Sequence, residues 1–244
     1  MDKGKRAFDL IVAATSLLLL SPLLFVVAVA IWLQDFRSPL YVAPRVAKGG
    51  GTFKMVKFRS MTVGADRAGI HSTSGDDHRI TRVGRLVRAY KLDELPQLWN
   101  VVKGELSLVG PRPQVPREVA IYTPAEREML IIRPGITDLS SIVFSDEGDI
   151  LQGANDPDLA YNQLIRPWKS RLSLLYVRHH TFRLDLELLA LTAVGLFSRK
   201  RALSAIARLL ERLGADPMTR RAACRQEALV PYPPPGSTTI VTAR

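Results

Sequence analysis

An adjacent pair of carboxylates, Asp93 and Glu94, is the part of this sequence best suited to chemistry. Basic residues crowd the stretch around the pair: Arg82, Arg85, Arg88, Lys91, Lys103 and Arg112. An aspartate can attack phosphorus as a nucleophile, and it can also hold a divalent cation. Carboxylates set among so much positive charge favour the handling of a phosphorylated substrate. The alternative is an ordinary helix start with acidic residues in its first turn.

The local sequence predicts a helix that begins near Asp93. Aspartate is a good N-terminal cap, and Pro96 is tolerated only in the first helical turn because it lacks an N–H group. Both carboxylates would then lie at a helix N-terminus, where unpaired N–H groups and the helix dipole also attract phosphate. Adjacent side chains on a regular helix point about 100° apart, but this restriction loosens at a helix start, so both can face one site.

The charge of the whole chain points in the same direction. Its 244 residues include 34 Lys and Arg against 23 Asp and Glu, which gives a net charge of +11. The expected partner is therefore anionic: nucleic acid, a phosphate ligand or lipid headgroups. The single cysteine, Cys224, excludes an internal disulfide framework and a cysteine-based zinc site. The length suits one domain with appendages.

A long uncharged segment precedes the carboxylate pair. Residues 10–34 carry no charge, and as a helix they would extend about 37 Å, enough for a bilayer core of ~30 Å. Ser21 and Pro22 lie in the middle and predict a kink. Basic residues flank both ends, and the positive-inside rule would keep both flanks in the cytoplasm. A re-entrant helix-break-helix hairpin satisfies both observations, and a proline-kinked spanning helix is the alternative.

Two strands follow the apolar segment. Residues 40–42 and Thr52–Phe58 have strand-like patterns on either side of a glycine turn. Lys57 and Arg59, two residues apart, would lie on one strand face and could reach a common anion. Further along, residues 81–89 and 161–181 predict helices, whereas the acidic residues 138–160 predict a loop with solvated carboxylates.

The C-terminal part of the chain has two characters. Residues 182–213 are mostly apolar with basic residues at intervals, and Leu203, Ile206 and Leu210 recur at helical spacing. This pattern predicts an amphipathic helix on an anionic membrane, with an ordinary core-packing helix as the alternative. Residues 214–244 are rich in proline and lack periodicity, which predicts a largely disordered tail.

Several motifs together carry a family resemblance from about residue 3 to residue 198. They are KRAFDL with the Ser21-Pro22 break, KFRSM, DDHRITRVGRLVR, KLDELPQLWNVVKGELSLVGPRP, RPGIT and LYVRHHTFRLDLELL. The most specific signal is LDELPQL followed by GPRP at this spacing. On these motifs the chain resembles the bacterial sugar transferases of the monotopic phosphoglycosyl transferase family, in their minimal form. It departs from the usual pattern in four places, which leaves the sugar open. Lys91 stands where serine is frequent, Glu105 where aspartate is commoner, Asp138-Leu139 where glycine and an aromatic residue are expected, and Ser173 where aspartate is expected.

The resemblance implies an enzyme that moves a sugar-1-phosphate from a UDP-sugar to undecaprenyl phosphate and releases UMP. Such a reaction initiates the assembly of exopolysaccharide, O-antigen, capsule or glycoprotein glycans. Asp93 is the implied nucleophile, through a covalent aspartyl phospho-sugar intermediate, and Glu94 is its catalytic partner. The implied cofactor is Mg²⁺, held by Asp93. The candidate phosphate contacts are four basic residues: Lys57, Arg59, Arg88 and Arg112.

The resemblance also implies a fold and a location. The expected fold class is α/β and helix-dominated, a monotopic membrane protein on the cytoplasmic face of the bacterial inner membrane. A re-entrant hairpin would occupy residues 1–36. The catalytic domain would occupy residues 37–198, with a small β-sheet or hairpin and surface amphipathic helices. Residues 199–244 would form a basic amphipathic helix and a largely disordered proline-rich tail.

The expected partners are the UDP-sugar donor, undecaprenyl phosphate and membrane lipids, and a homodimer is left open. Two other functions compete with the enzyme. The charge of +11 suits a membrane-tethered nucleic-acid-binding protein, but no nucleic-acid motif is recognised, so nucleic acid is not expected. A non-catalytic scaffold that recruits other enzymes is the third option, and the intact Asp93, Glu94 and Arg112 count against it.

Overall fold

The computed structural model describes residues 3–68 and 72–242, so the outermost residues of the predicted hairpin and tail lie outside it. The predicted helix-dominated α/β composition with small sheets is confirmed. The helices are α1 (Lys3–Trp32), α2 (Arg82–Ala89), α3 (Gln97–Lys103), α4 (Pro116–Ala120), α5 (Pro124–Arg127), α6 (Leu139–Val143), α7 (Glu147–Ile150), α8 (Pro157–Ala160), α9 (Arg166–His179), α10 (Phe182–Phe197), α11 (Arg199–Arg212) and α12 (Pro217–Cys224). The strands are β1 (Leu40–Val46), β2 (Thr52–Phe58), β3 (Ser107–Val109) and β4 (Gly135–Thr137).

Strands β1 and β2 form an antiparallel hairpin, in register from Leu40 opposite Phe58 to Val46 opposite Thr52. β2 has the predicted bounds, and β1 extends four residues beyond the predicted strand, to Val46. Phe53 and Met55 are buried, and the alternation of a strand places Lys57 on the same face. The hairpin therefore carries Lys57 on its inward side.

A second, parallel pair of strands brings two loops into close contact. β3 and β4 pair Ser107 with Gly135 and Val109 with Thr137. A Cβ on Gly135 would lie 2.1 Å from the backbone nitrogen of Gly110, so only glycine fits there. The close approach of Gly110 to Gly135 fixes the position of Pro111 and Arg112, which follow Gly110 in the sequence.

Helix α1 continues through Ser21 and Pro22 without interruption. Proline has no N–H, so the carbonyl of Leu18, four residues earlier, loses its usual donor. The Ser21 hydroxyl donates a hydrogen bond of 2.7 Å to that carbonyl and so replaces the missing donor. By length and composition α1 is able to cross a membrane, and most of its apolar surface is not covered by the protein. Membrane association fits this helix, whereas its re-entrant path stays a prediction.

The N-terminal end of α1 is held by polar contacts to the strand and helix nearest the carboxylate pair. The buried Asp9 carboxylate accepts a hydrogen bond of 2.7 Å from the Ser107 hydroxyl at the start of β3. Arg6 donates to the carbonyl of Val101 at 2.7 Å, near the end of α3, and Lys5 forms an ion pair with Asp185 of α10. These contacts fix the helix to the predicted catalytic domain, residues 37–198, which is called the catalytic body below.

The C-terminal end of α1 packs against the same body through apolar contacts. Val27 and Ile31 are buried in a small cluster with Phe58 of β2 and Val87 of α2. Both ends of α1 therefore contact elements that flank Asp93 and Glu94. The helix supports the catalytic body at two separate places.

The main core corrects the prediction that a surface helix lies near the C-terminus. Residues 182–213 form two helices, α10 and α11, and the Ser198 side chain caps α11. Leu203, Ile206 and Leu210 are buried in the core rather than free to contact a membrane. The membrane interpretation fails here because the apolar face of α11 is covered by protein.

The proline-rich segment also differs from its prediction, because its described part is docked rather than disordered. The Tyr232 ring stacks on Trp168 with ring centroids 4.5 Å apart. The Arg171 guanidinium lies 4.8 Å from the Tyr232 ring centre and donates to the Pro233 carbonyl at 3.0 Å. An extended proline-rich chain makes no internal hydrogen bonds and has no periodic pattern, so its order depends on these contacts with α9.

Two of the four departures from the family pattern contact each other. Asp138, fully buried, caps α6, and its carboxylate accepts a hydrogen bond of 2.8 Å from the Ser173 hydroxyl of α9. The resemblance predicts glycine in place of Asp138 and aspartate in place of Ser173. The chain therefore keeps one carboxylate at this contact and carries it on the opposite element.

We predict that Gly135→Ala lowers the free energy of unfolding by about 2 kcal/mol or more, because overpacking against the Gly110 backbone forces β3 and β4 apart. The measurement is thermal unfolding of the purified protein in detergent. Gly195→Ala is the matched control. Its Cβ would meet only the Ala202 methyl at 3.6 Å, and alanine favours the α10 helix by about 1 kcal/mol. Equal stability of the two variants would contradict the close approach of the two strands.

Candidate active site

Asp93 and Glu94 lie in a short 3-10 turn, Leu92–Glu94, between α2 and α3. The prediction that Asp93 caps an α-helix is wrong, because α3 begins only at Gln97, behind Pro96, and Asp93 caps nothing. Lys91, just before the turn, has a left-handed backbone with φ of 56°. A residue other than glycine in this conformation is costly, and such strain concentrates at functional sites.

The Glu94 carboxylate is paired with the Arg112 guanidinium. Nη2 donates to Oε1, and Nη1 donates to Oε2 at 3.3 Å, so both arms of the guanidinium are used. Burial alone would raise the pKa of Glu94, but Arg112, followed by Lys57 and Lys91, lowers it to about 2. Glu94 is therefore ionised at neutral pH, and it holds Arg112 beside Asp93.

The Asp93 carboxylate is buried but has no fixed partner. Only 8% of the residue is exposed, and within the described part of the chain no hydrogen bond or ion pair reaches its side chain. Burial and the neighbouring Glu94 raise its pKa, and Lys57, Arg88 and Arg112 oppose that rise. A desolvated carboxylate without a partner, close to cations, is suited to attack an electrophile or to bind a metal ion.

Lys57 and Arg88 act electrostatically on Asp93 and remain uncommitted. Neither forms an ion pair with any described residue, and both line the same open cleft. Burial and the positive charge of Arg112 lower the pKa of Lys57 to about 8. Arg88 reaches the cleft because Gly84 lets α2 approach the backbone of Ser60, where a Cβ would lie 1.9 Å from the carbonyl oxygen.

The cleft has a volume of about 750 Å³ and a strongly basic wall. Its charged lining residues are Arg37, Arg45, Lys57, Arg59, Arg79, Arg88, Arg112, Arg117 and Lys169, with Asp66, Glu118 and Glu147. Asp93 and Glu94 are not part of the wall. They interact electrostatically with Lys57 and Arg112, and both of these residues line the cleft. The cleft is large enough for a nucleotide-sized anion.

Arg59 lines the cleft but also makes fixed contacts within the protein. Its guanidinium forms two hydrogen bonds of 2.6 Å with the Asp35 carboxylate, and Nε donates to the Ser38 carbonyl at 2.8 Å. Arg59 is buried, and these bonds join the end of β2 to the segment that follows α1. These bonds use three of the five guanidinium N–H groups, and Asp35 offsets the charge, so Arg59 is a weaker candidate phosphate contact than Lys57 or Arg88. That contact stays a prediction.

Glu147 and Lys169 belong to the site, although the sequence did not indicate them. Their side chains form an ion pair, and Lys169 Nζ lies 5.5 Å from the centre of the Tyr161 ring. Burial would raise the pKa of Glu147, but Lys169 and Arg112 lower it. The prediction of a solvated acidic face is therefore wrong for Glu147. No local pattern signals this, because its partner is 22 residues away in sequence.

The magnesium site predicted at Asp93 has a limited donor set. Among residues 3–68 and 72–242, no group of three or more His, Cys, Asp and Glu side chains is arranged to hold a metal ion. Mg²⁺ commonly uses one or two protein carboxylates together with substrate phosphates. Asp93 fits that role because its carboxylate is uncommitted, whereas Glu94 is occupied by Arg112. The magnesium site stays a prediction.

Comparison with known proteins is informative for most of the chain. A family model described as bacterial sugar transferase matches residues 2–199. An Aeromonas hydrophila protein, "UDP-N-acetylgalactosamine-undecaprenyl-phosphate N-acetylgalactosaminephosphotransferase", is 37% identical over 152 residues, which cover 59% of this chain and 35% of the relative. The "Undecaprenyl-phosphate glucose phosphotransferase" of Komagataeibacter xylinus is 39% identical over 195 residues, covering 77% of this chain and 35% of the relative.

A shorter relative matches over a larger share of its own length. The "Exopolysaccharide production protein ExoY" of Sinorhizobium fredii is 39% identical over 154 residues, which cover 57% of this chain and 68% of the relative. The match thus spans about a third of the length of the first two relatives and about two thirds of the third.

We predict that anion binding at this site weakens as the pH rises through about 8, because Lys57 then loses its charge. The measurement is pyrophosphate affinity of the purified protein between pH 6.5 and 9.5. Lys57→Arg keeps its charge throughout, so the ratio of wild-type to Lys57→Arg affinity should fall across this range. The ratio removes the titration of pyrophosphate itself. A constant ratio would contradict the lowered pKa of Lys57.

We also predict that Arg59 and Arg88 separate into two roles. Arg88→Gln should weaken pyrophosphate binding on the order of tenfold and leave thermal stability unchanged, because it removes an uncommitted cation from the cleft. Arg59→Gln should lower the melting temperature by several degrees, because it breaks the bonds to Asp35 and Ser38. If Arg59→Gln instead weakened pyrophosphate binding and Arg88→Gln lowered the melting temperature, Arg59 would be the phosphate contact.

Proposed function

This chain belongs to the bacterial sugar transferase family, and from that premise we propose that it transfers a sugar-1-phosphate from a UDP-sugar to undecaprenyl phosphate, with release of UMP. The observation that carries the proposal is the uncommitted Asp93 carboxylate, buried beside the Glu94–Arg112 pair, whose arginine lines a basic cleft. The names of two relatives contain undecaprenyl phosphate, one with N-acetylgalactosamine and the other with glucose. The sugar of this chain is left unassigned.

The first step is an attack by an Asp93 carboxylate oxygen on the phosphorus that bears the sugar. The bond from that phosphorus to the bridging oxygen breaks, and its electron pair leaves with UMP. The product is a covalent aspartyl phospho-sugar. Lys57, Arg88 and Arg112 offset the phosphate charge, and their preorganised positions stabilise the charge that moves to the leaving group.

The second step returns Asp93 to its starting state. A phosphate oxygen of undecaprenyl phosphate attacks the same phosphorus, and the bond between phosphorus and Asp93 breaks. The sugar phosphate leaves as undecaprenyl-diphosphate-sugar, and the carboxylate is free again. Two displacements at one aspartate allow a single small site to serve a soluble donor and a lipid acceptor in turn.

The pKa directions suit these roles. Asp93 has a raised pKa, which makes its carboxylate more basic, and a more basic carboxylate is a stronger nucleophile once ionised. Glu94 has a lowered pKa, so it remains an anion and keeps Arg112 in position. A magnesium ion held by Asp93 and the substrate phosphates would further offset negative charge. Glu94 therefore acts mainly by positioning Arg112.

We propose that α1 is the re-entrant membrane anchor, with the catalytic body on the cytoplasmic face of the bacterial inner membrane. Both ends of α1 contact that body, and basic residues flank both ends of the apolar segment. The substrate chemistry agrees, since a lipid phosphate must meet the cleft at the membrane surface. Membrane lipids as partners and a homodimer stay predictions.

We predict that Asp93→Asn lowers UMP release by on the order of a thousandfold or more, because an amide cannot replace the nucleophile. The measurement uses full-length protein in detergent, undecaprenyl phosphate, Mg²⁺ and a panel of UDP-sugars. Asp66→Asn is the matched control, a cleft-lining carboxylate with no assigned role, and it should retain activity. Asp93→Asn should still fractionate with membranes. Undiminished UMP release by Asp93→Asn would exclude the proposed mechanism.

A further inference from the structure

Arg45 is a cleft arginine to which the first step above assigns no role. It lies on β1, half-buried, and lines the cleft together with Lys57 and Arg112. Its only side-chain hydrogen bond is to the neighbouring Pro44 carbonyl at 3.1 Å, and it forms no ion pair with any residue the structure describes.

The neighbours of Arg45 are mostly cations. Arg112 is paired with Glu94, and Arg117 lies 3.6 Å from Glu118, so each neighbouring arginine has a carboxylate that Arg45 lacks. Burial lowers the pKa of the Arg45 guanidinium, and both arginines lower it further. Glu94 and Glu118 offset the charges of Arg112 and Arg117, so the unmatched positive charge in this part of the cleft is that of Arg45. The arrangement is suited to a bound anion such as a phosphate.

The cations have an order relative to Asp93. Arg88, Lys57 and Arg112 act on the Asp93 carboxylate directly. In the β1–β2 hairpin Lys57 lies opposite Tyr41, so Arg45 is four residues, or about 13 Å, further along β1. The next residue, Val46, donates a backbone hydrogen bond of 2.9 Å to the Gln114 carbonyl, which places Arg45 near the loop that carries Arg112. This row of cations therefore runs from Lys57, on the Asp93 side, past Arg112 to Arg45.

Phosphoryl transfer gives that order a chemical meaning. The attacking and leaving oxygens lie roughly in line on opposite faces of the transferred phosphorus. With Asp93 on one face, the leaving phosphate must lie on the side away from Asp93. Arg45 occupies the corresponding end of the row.

Building on the proposed function, we infer that Arg45 binds the phosphate of the departing UMP, while Lys57 and Arg88 hold the phosphate that is transferred. As the bridging bond breaks, its electron pair moves onto the UMP oxygen, and the Arg45 N–H groups stabilise that charge. Arg112 lies between the two phosphates and contributes to both.

The phosphate of the lipid acceptor has similar chemistry, so the test must separate the two. Binding of UMP, uridine and undecaprenyl phosphate is measured separately with full-length wild-type and Arg45→Gln protein in detergent. Arg45→Gln should weaken UMP binding by on the order of tenfold or more, because a charge-assisted hydrogen bond is lost. Uridine, which lacks the phosphate, and undecaprenyl phosphate should bind as in the wild type.

Two further variants keep the test specific. Lys48→Gln removes one positive charge from the exposed turn of the same hairpin and should leave UMP affinity unchanged. Arg45→Lys keeps the charge but loses the two-pronged geometry, so it should bind UMP with an intermediate loss of affinity. If Arg45→Gln does not fold, the comparison of UMP with uridine is made on Arg45→Lys.

The outcomes separate the inference from the function on which it rests. If wild-type protein binds neither UMP nor undecaprenyl phosphate, the proposed function fails. If it binds both and the Arg45 variants bind UMP as the wild type does, only the inference is overturned. A selective loss of undecaprenyl phosphate binding would also overturn it, because Arg45 would then serve the acceptor.

Discussion

The ion pair between Glu94 and Arg112 is the interaction on which the rest of the site depends. It joins the turn that holds Asp93 to the loop that follows β3, and it places a guanidinium beside the Asp93 carboxylate. The pair requires both loops to stay in place. Close contact between Gly110 and Gly135 fixes one loop, and the polar N-terminal end of α1 supports β3. Helix α1 and the geometry around Asp93 are thus linked through a few buried contacts.

The distribution of charge partners explains how a strongly basic cleft remains specific. Arg59 is neutralised by Asp35, and Lys169 by Glu147, so these cations build the wall and do not compete for ligand. Lys57, Arg88 and Arg45 have no carboxylate partner among the described residues, and they form the side of the cleft where negative charge must enter. A net charge of +11 is therefore less informative than the identity of the cations that lack a partner.

The C-terminal residues extend the catalytic body beyond the region that matches the family model. α11 completes the main core, and the proline-rich segment packs on α9 through the Arg171, Trp168 and Tyr232 stack. On the same helix Lys169 faces the cleft and Ser173 contacts Asp138. The proline-rich segment therefore packs against α9, the helix that carries Lys169 of the cleft wall. The order of this segment depends on tertiary contacts alone.

The sequence by itself determined the features that depend on near neighbours. The alternating pattern predicted β2, and the residues from Thr81 onward predicted α2. The motif around Asp93 and Glu94 identified the candidate carboxylates and Arg112, which the structure brings together. Only the tertiary structure decided which charges are paired. Arg59 and Asp35 are 24 residues apart, and Glu147 and Lys169 are 22 apart, so neither pairing leaves a trace in local pattern. Local propensity acts over a few residues, whereas Coulomb interaction and burial depend on distance in space. For that reason the candidate reactive group was visible in the sequence, and its electrostatic environment was not.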